Sequence, residues 1–122
     1  MIFIYGGSYQ GKLSFAKARY GLSDDGIQIC DAQTRALNAN ARCLAYVEQW
    51  ALNCVRRGVD PAEAFEARSD AIVIATDISC GVVPTDATLR AWREASGRLN
   101  AQLAARSEAV WRLFCGIPER LK

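Results

Sequence analysis

The chain opens on the apolar residues Met1-Ile2-Phe3-Ile4-Tyr5 and passes directly into Gly6-Gly7-Ser8-Tyr9-Gln10-Gly11-Lys12. Residues 12–20 then read as a helix, stopped by Gly21. A strand feeding a helix through a glycine-rich turn constrains the fold more than any other feature of this sequence. Such a turn points several backbone N–H groups at one place, and glycine keeps that place open because it has no Cβ. The N-terminus of the following helix adds partial positive charge. The spacing Gly6-x-x-x-x-Gly11-Lys12 therefore predicts a phosphate-binding loop of Walker A type. Its residues are Gly6, Gly7, Ser8, Tyr9, Gln10, Gly11, Lys12, Leu13 and Ser14, with Lys12 placed to reach the β- and γ-phosphates of a nucleotide.

One position breaks the pattern. Leu13 stands where the motif puts the Ser or Thr that binds magnesium, and a leucine offers no oxygen. Ser14 is the neighbouring hydroxyl, but one helical step turns a side chain by about 100°, so it is expected to point elsewhere. Mg2+ keeps several waters and takes phosphate oxygens, so a carboxylate outside the loop can help to hold it with ATP or GTP. Phosphoryl transfer depends on positioning and on charge neutralisation at the metal. The substitution is therefore expected to harm the rate more than the affinity.

The rest of the chain repeats the alternation of strand and helix. Strand-like runs lie at 1–5, 27–30, 71–76 and 109–115. A long helical pattern spans about 36–57, with Leu37, Ala41, Leu44, Val47, Ala51 and Val55 spaced three and four apart. Pro61 opens a short helix to about residue 68. From about 86 to 107, Leu89, Trp92, Ser96, Leu99 and Leu103 form one stripe of an amphipathic helix, read as the face that covers the protein's own sheet. This order predicts a three-layer α/β fold in one domain, 1–122, with a small, mostly parallel sheet of about four strands. Ligands bind such sheets beyond the carboxyl ends of the strands. Asp31 and Asp77 each follow a predicted strand, so Asp31 is the candidate metal-linked carboxylate and Asp77 the candidate acid/base group; each is equally at home as a turn or capping residue.

Composition narrows the chemistry. The chain has no histidine, which removes imidazole bases and phosphohistidine-type intermediates. Its five cysteines include no CxxC pair, and they read as reduced thiols used as small apolar side chains. The formal charge of +2 comes from dispersed basic residues and does not argue for nucleic acid. No leader-like segment and no apolar run of membrane-spanning length is visible, so a cytoplasmic protein is expected.

At this point the motifs resemble a known family. Residues 6–16, GGSYQGKLSFA, are similar to the GGxxSGKSxxA opening of the adenosylcobinamide kinase/adenosylcobinamide-phosphate guanylyltransferase family of cobalamin biosynthesis. Asp31-Ala32-Gln33-Thr34 looks like that family's Asp-Cys-Leu-Thr. Residues 76–84, TDISCGVVP, resemble its Asn-Glu-Val-Gly-x-Gly-Ile-Val-Pro. Residues 96–105, SGRLNAQLAA, resemble its AGRxNQxLA helix, and Gly116-Ile117-Pro118 with Leu121-Lys122 resembles its closing G-x-P-x-x-L-K. The resemblance implies a P-loop NTPase-like (RecA-like) fold, ATP or GTP with Mg2+, adenosylcobinamide as acceptor, and a homo-oligomer, a trimer with sites between subunits. It carries over to Gly6, Gly7, Gly11, Lys12, Asp31, Thr34, Gly81 and Pro84, with Asp77 a conservative replacement.

The departures matter as much. The family places a histidine that accepts GMP covalently between the first helix and the Asp-Cys-Leu-Thr strand. Here only residues 15–30 separate those elements, so a shortened member without histidine-dependent guanylyl transfer is expected. Thr76-Asp77 replaces the Asn-Glu pair, and Ser79 replaces a glycine. Two readings follow: a cobinamide kinase-like enzyme, or a catalytically inactive relative that keeps the fold and acts as a binding or structural protein.

Overall fold

The computed structural model describes residues 1–66, 68–79 and 85–122. In chain order the elements are β1 (Ile2–Gly6), α1 (Lys12–Tyr20), β2 (Ile27–Ile29), β3 (Cys43–Ala45), α2 (Val47–Arg56), α3 (Pro61–Ala64), β4 (Ile72–Thr76), α4 (Ala87–Arg106), β5 (Ala109–Phe114) and β6 (Ile117–Arg120). The described residues form a six-stranded sheet in the order β2-β3-β4-β1-β5-β6. All its pairings are parallel except β5 with β6.

Successive residues of the central strands are buried on opposite faces, which is why these strands read as continuous apolar runs. Phe3, Leu44, Val73 and Val110 pack on one side with Val47 and Trp50 of α2 and Leu99 and Leu103 of α4. Ile4, Cys43, Ile72, Ile74 and Leu113 pack on the other with Ala16, Leu13 and Phe15 of α1. The three layers are therefore α1, the sheet, and the group α2, α3 and α4, which is the expected α/β architecture.

Helix ends follow local chemistry. Gly21 adopts the left-handed conformation after α1 and its N–H bonds back to Lys17, as a terminating glycine should. Asp60 caps α3, with Pro61 at the first helical position. The Asp86 carboxylate caps α4 by accepting from the Leu89 N–H at 3.0 Å. Among the described residues, no helix is long and apolar enough to cross a membrane.

Two strands were hidden in the sequence. The stretch read as one helix from about 36 to 57 contains β3, a break at Tyr46 (φ 62°) and then α2. Cys43, Leu44 and Ala45 are all buried, so their run is that of an interior strand. The second, β6, is exposed along its length and antiparallel to β5; Pro118 fits because a margin strand leaves some N–H positions unpaired.

The cysteines divide by environment. Burial pushes the Cys30 and Cys43 thiols up to about 12, with Glu48 and Asp31 adding to the effect at Cys30, and burial also raises Cys54. Cys115 is exposed in the β5–β6 turn and Cys80 lies outside the described residues. At pH 8 a thiol with a pKa near 12 is thiolate in only about one molecule in 10⁴. Alkylation of the native protein followed by peptide mass spectrometry is expected to label Cys115 quickly, and Cys30 and Cys43 only on unfolding. Equal rates at all three would contradict this packing.

Candidate functional site

The glycine-rich turn joins β1 to α1 beside a cleft of about 460 Å³ lined by residues 8–14, Tyr46 and Thr76. Two of its glycines have distinct reasons to be there. A Cβ on Gly6 would lie 2.5 Å from the Leu113 carbonyl oxygen of β5, and Gly11 has φ +84°. Gln10 ties the turn to the β5–β6 hairpin: its carbonyl accepts from the Gly116 N–H at 3.1 Å, and its side-chain oxygen accepts from the Cys115 N–H. Among the described residues, no hydrogen bond is donated by the backbone N–H of Gly7, Ser8, Tyr9, Gln10, Gly11, Lys12 or Leu13. A row of undirected donors at a helix N-terminus is what an anion requires.

Lys12 is folded into this turn. It is only 4% exposed, and its Nζ donates to the Gly7 carbonyl at 2.6 Å. Burial pulls its pKa down from the ordinary lysine value, while the charge of Glu48 pulls the other way. Leu13 packs against the core on the α1 side and borders the cleft, where it presents carbon in place of a hydroxyl. Ser14, expected to point elsewhere, also borders the cleft.

Glu48 is the residue that sequence reasoning missed. It sits in the first turn of α2 and is 4% exposed. Among the described residues, its Oε2 has no hydrogen-bond partner. Burial pushes its carboxyl pKa up, opposed by the Thr76 hydrogen bonds and the Lys12 charge. A buried ion of this kind is costly unless paired, and such groups cluster at working sites. The signal available in sequence was a carboxylate beside Val47 and Ala51 on the apolar face of a helix. Reading one helix through Tyr46 concealed that Glu48 starts a helix at the carboxyl end of a strand.

The other candidates fall elsewhere. Asp77 donates its backbone N–H to the Gly6 carbonyl at 2.8 Å, yet its carboxylate accepts from Ser79. Asp77 borders a different cavity of about 340 Å³ with Phe3, Tyr5, Arg93 and Ser96, so Lys12 and Asp77 line separate spaces. Asp31 is exposed just past β2, and its carboxylate accepts from the Gln33 N–H and the Thr34 hydroxyl in a local turn. In the order β2-β3-β4-β1 that strand is three steps from the loop strand, about 14 Å at the usual spacing. Gly81 and Pro84 lie outside the described residues.

For a magnesium ion, the residues that border the cleft supply no carboxylate. Among the described residues, no three acids, cysteines or histidines cluster to hold a metal by themselves. Glu48 acts on Lys12 electrostatically but is not among the residues that border the cleft, so an ion there would be carried mainly by phosphate and water.

Comparison with known proteins adds kinship. The bifunctional adenosylcobalamin biosynthesis protein of Salmonella typhimurium is 27% identical over 81 residues, which cover 62% of this chain and 45% of that protein. Its namesake in Escherichia coli is 33% identical over 51 residues, 42% of this chain and 28% of that protein. The chain thus spans less than half the length of these relatives. Residues 41–121 match the sequence profile of the cobinamide kinase / cobinamide phosphate guanyltransferase family. That span begins after the glycine-rich loop and after Asp31-Ala32-Gln33-Thr34, so the loop stands on its own geometry. The match still covers most of the chain, from β3 through β6, and on that basis the chain belongs to the cobinamide kinase / cobinamide phosphate guanyltransferase family.

Proposed function

We propose that this protein binds a nucleoside triphosphate, ATP or GTP, at the loop 6–14 and serves cobalamin biosynthesis as a cobinamide kinase-like protein. The observation that carries this reading is Lys12, buried in a turn whose described N–H groups donate to nothing else. The loop amides and Lys12 hold the phosphates, and the hydroxyl of adenosylcobinamide is the acceptor. Mg2+ supplies charge neutralisation for the transferring phosphoryl group. Histidine-dependent guanylyl transfer has no residue to run on, because the sequence contains no histidine. A homo-oligomer completes the reading, by family likeness.

A second reading, binding without transfer, is favoured by specific observations. Leu13 gives no ligand to a metal, and the candidate acid Asp77 borders a different cavity from Lys12. Calorimetric titration with ATP and GTP, with and without Mg2+, tests what the two share. A heat of binding saturating at micromolar to low millimolar nucleotide is expected; silence with both nucleotides under both conditions overturns the proposal. Mass spectrometry of cobinamide incubated with protein, nucleotide and Mg2+ then separates the readings. A phosphorylated product establishes the kinase, and binding without product establishes the inactive relative.

A further inference from the structure

The crossover from β2 to β3, residues 30–42, is made without a helix. Parallel neighbours are ordinarily joined by a helix that lies on the sheet. Here Leu37 packs against the core from a loop instead. A cavity of about 310 Å³ is left between that loop, the second half of α2 and the segment before β4. Leu37, Leu44 and Trp50 supply apolar wall, and Arg35, Arg57 and Arg68 border it from three separate segments. The cavity shares no lining residue with the cleft at the glycine-rich loop.

The arginines bring charge that no described group pairs with. Arg57 donates from Nε to the Asn53 side-chain oxygen at 2.7 Å and from Nη2 to the Arg35 carbonyl at 3.4 Å. Arg68 donates to the carbonyls of Asn38, Ala39 and Ala41. These acceptors are uncharged, so they fix two guanidinium groups in place and leave their charge intact. Among the described residues, none of the three arginines forms an ion pair, and Glu66 is the one acid bordering the cavity. Stapling the loop accounts for Arg57 and Arg68 but not for Arg35. Its carbonyl is held by Arg57 and by the Trp50 indole, while its own guanidinium donates to nothing described. Like charges gathered around one space repel. Guanidinium is also the side chain whose donors best match a phosphate or carboxylate.

We propose that this cavity is a second ligand site, which takes a small organic anion: a phosphate or carboxylate group met by Arg35, Arg57 and Arg68, on an apolar body that lies against Leu37, Leu44 and Trp50. Apolar walls with a few convergent polar groups are the usual anatomy of a small-molecule site. The apolar wall supplies affinity, and the arginines select for negative charge. Because the two sites share no residue, this one stands whether or not the glycine-rich loop binds nucleotide.

The test titrates the whole chain with phenyl phosphate, phenylacetate, inorganic phosphate and uncharged benzyl alcohol at one ionic strength, by calorimetry and by tryptophan fluorescence. At least one aryl anion is expected to bind about tenfold or more tighter than inorganic phosphate and benzyl alcohol, and the tighter of the two identifies the head group. Trp50→Phe should abolish the fluorescence change. Arg35→Gln is expected to weaken the aryl anion about tenfold, the usual worth of one charge-assisted hydrogen bond, without moving the denaturant midpoint. Arg35→Lys, which keeps the charge without the fork, should fall between that variant and wild type. Arg57→Gln should weaken binding similarly, with a lower midpoint because the loop loses a staple. Absence of binding by both aryl anions at roughly 10 mM overturns the proposal. So does inorganic phosphate binding as tightly as either of them, which would mean charge without a pocket. If Arg35→Gln binds like wild type while Lys12→Ala does not, the anion sits in the other cleft and the proposal also falls.

Discussion

Replacing Lys12 with alanine is expected to weaken nucleotide binding in Mg2+ by about a hundredfold or more. A hydrogen bond to a charged group contributes about 1.5–3 kcal/mol, and each 1.4 kcal/mol is a factor of ten. Lys12 is almost wholly buried, so its charge acts with little solvent screening, and its removal also takes from the buried Glu48 a cation that acts on it. Stability should respond in a pH-dependent way. Burial already holds the Glu48 carboxyl above its ordinary 4.5, and Lys12 is one of the influences pulling it back. Without the lysine the folded-state pKa rises further. A carboxyl raised in the folded state binds more protons folded than unfolded, so stability falls as pH rises from the unfolded value through the folded one. The deficit of the variant against wild type is therefore expected to be larger at pH 8 than at pH 5 in urea melts. An unchanged nucleotide affinity would remove Lys12 from the site, and a deficit independent of pH would separate it from Glu48.

Gly6→Ala is expected to be the most damaging single methyl group in the loop. The added Cβ would stand 2.5 Å from the Leu113 carbonyl oxygen, and Gly6 is paired in register with Leu113 across β1 and β5. Both neighbours are backbone in the centre of the sheet, so relief requires the strands to part. Overpacking of this kind costs about 3 kcal/mol. Because Gly6 also begins the turn proposed to bind phosphate, phosphate affinity should fall with stability. Gly11→Ala is the useful contrast. Its nearest obstacle is the Gly116 Cα at 3.6 Å, so its cost is the left-handed backbone alone, about 1–2 kcal/mol. Denaturant melts of the two variants side by side check the ranking; a milder effect at Gly6 would mean that β1 and β5 are less tightly joined than their register implies.

Much of this fold could be read from the sequence because local signals agreed with one another. The helix after the loop has a glycine stop, α4 has an aspartate cap and an apolar stripe, and β1 and β4 are unbroken apolar runs. Where local signals conflicted, the reading failed. Cys43-Leu44-Ala45 is too short for a strand to announce itself, and Leu44 and Val47 also satisfy helical spacing with Ala51, so the run was absorbed into its neighbour. The last strand lies in a stretch with a glycine and a proline that reads as a tail, and only its pairing with β5 reveals it.

The site divided in the same way. A glycine-rich loop is one contiguous segment, so its residues are recognisable together, and residues 8–14 of it border one cleft. Its acidic partner is not contiguous with it. Ending a strand was the only criterion available for Asp31 and Asp77, and it says nothing about which strand lies beside β1 or which way a carboxylate turns. Sheet order separates Asp31 from the loop by two intervening strands, while Thr76 and Glu48 converge from β4 and α2. That convergence is a property of the tertiary fold.

The two hydrogen bonds by which Gln10 grips the turn at Cys115 and Gly116 carry a mechanical implication. The final hairpin acts as a brace, and the curvature of the proposed anion cradle is set partly from the outermost margin of the sheet. Pull that margin away and the cradle slackens; clamp it and the cradle stiffens, with no change in any group that would touch a phosphate.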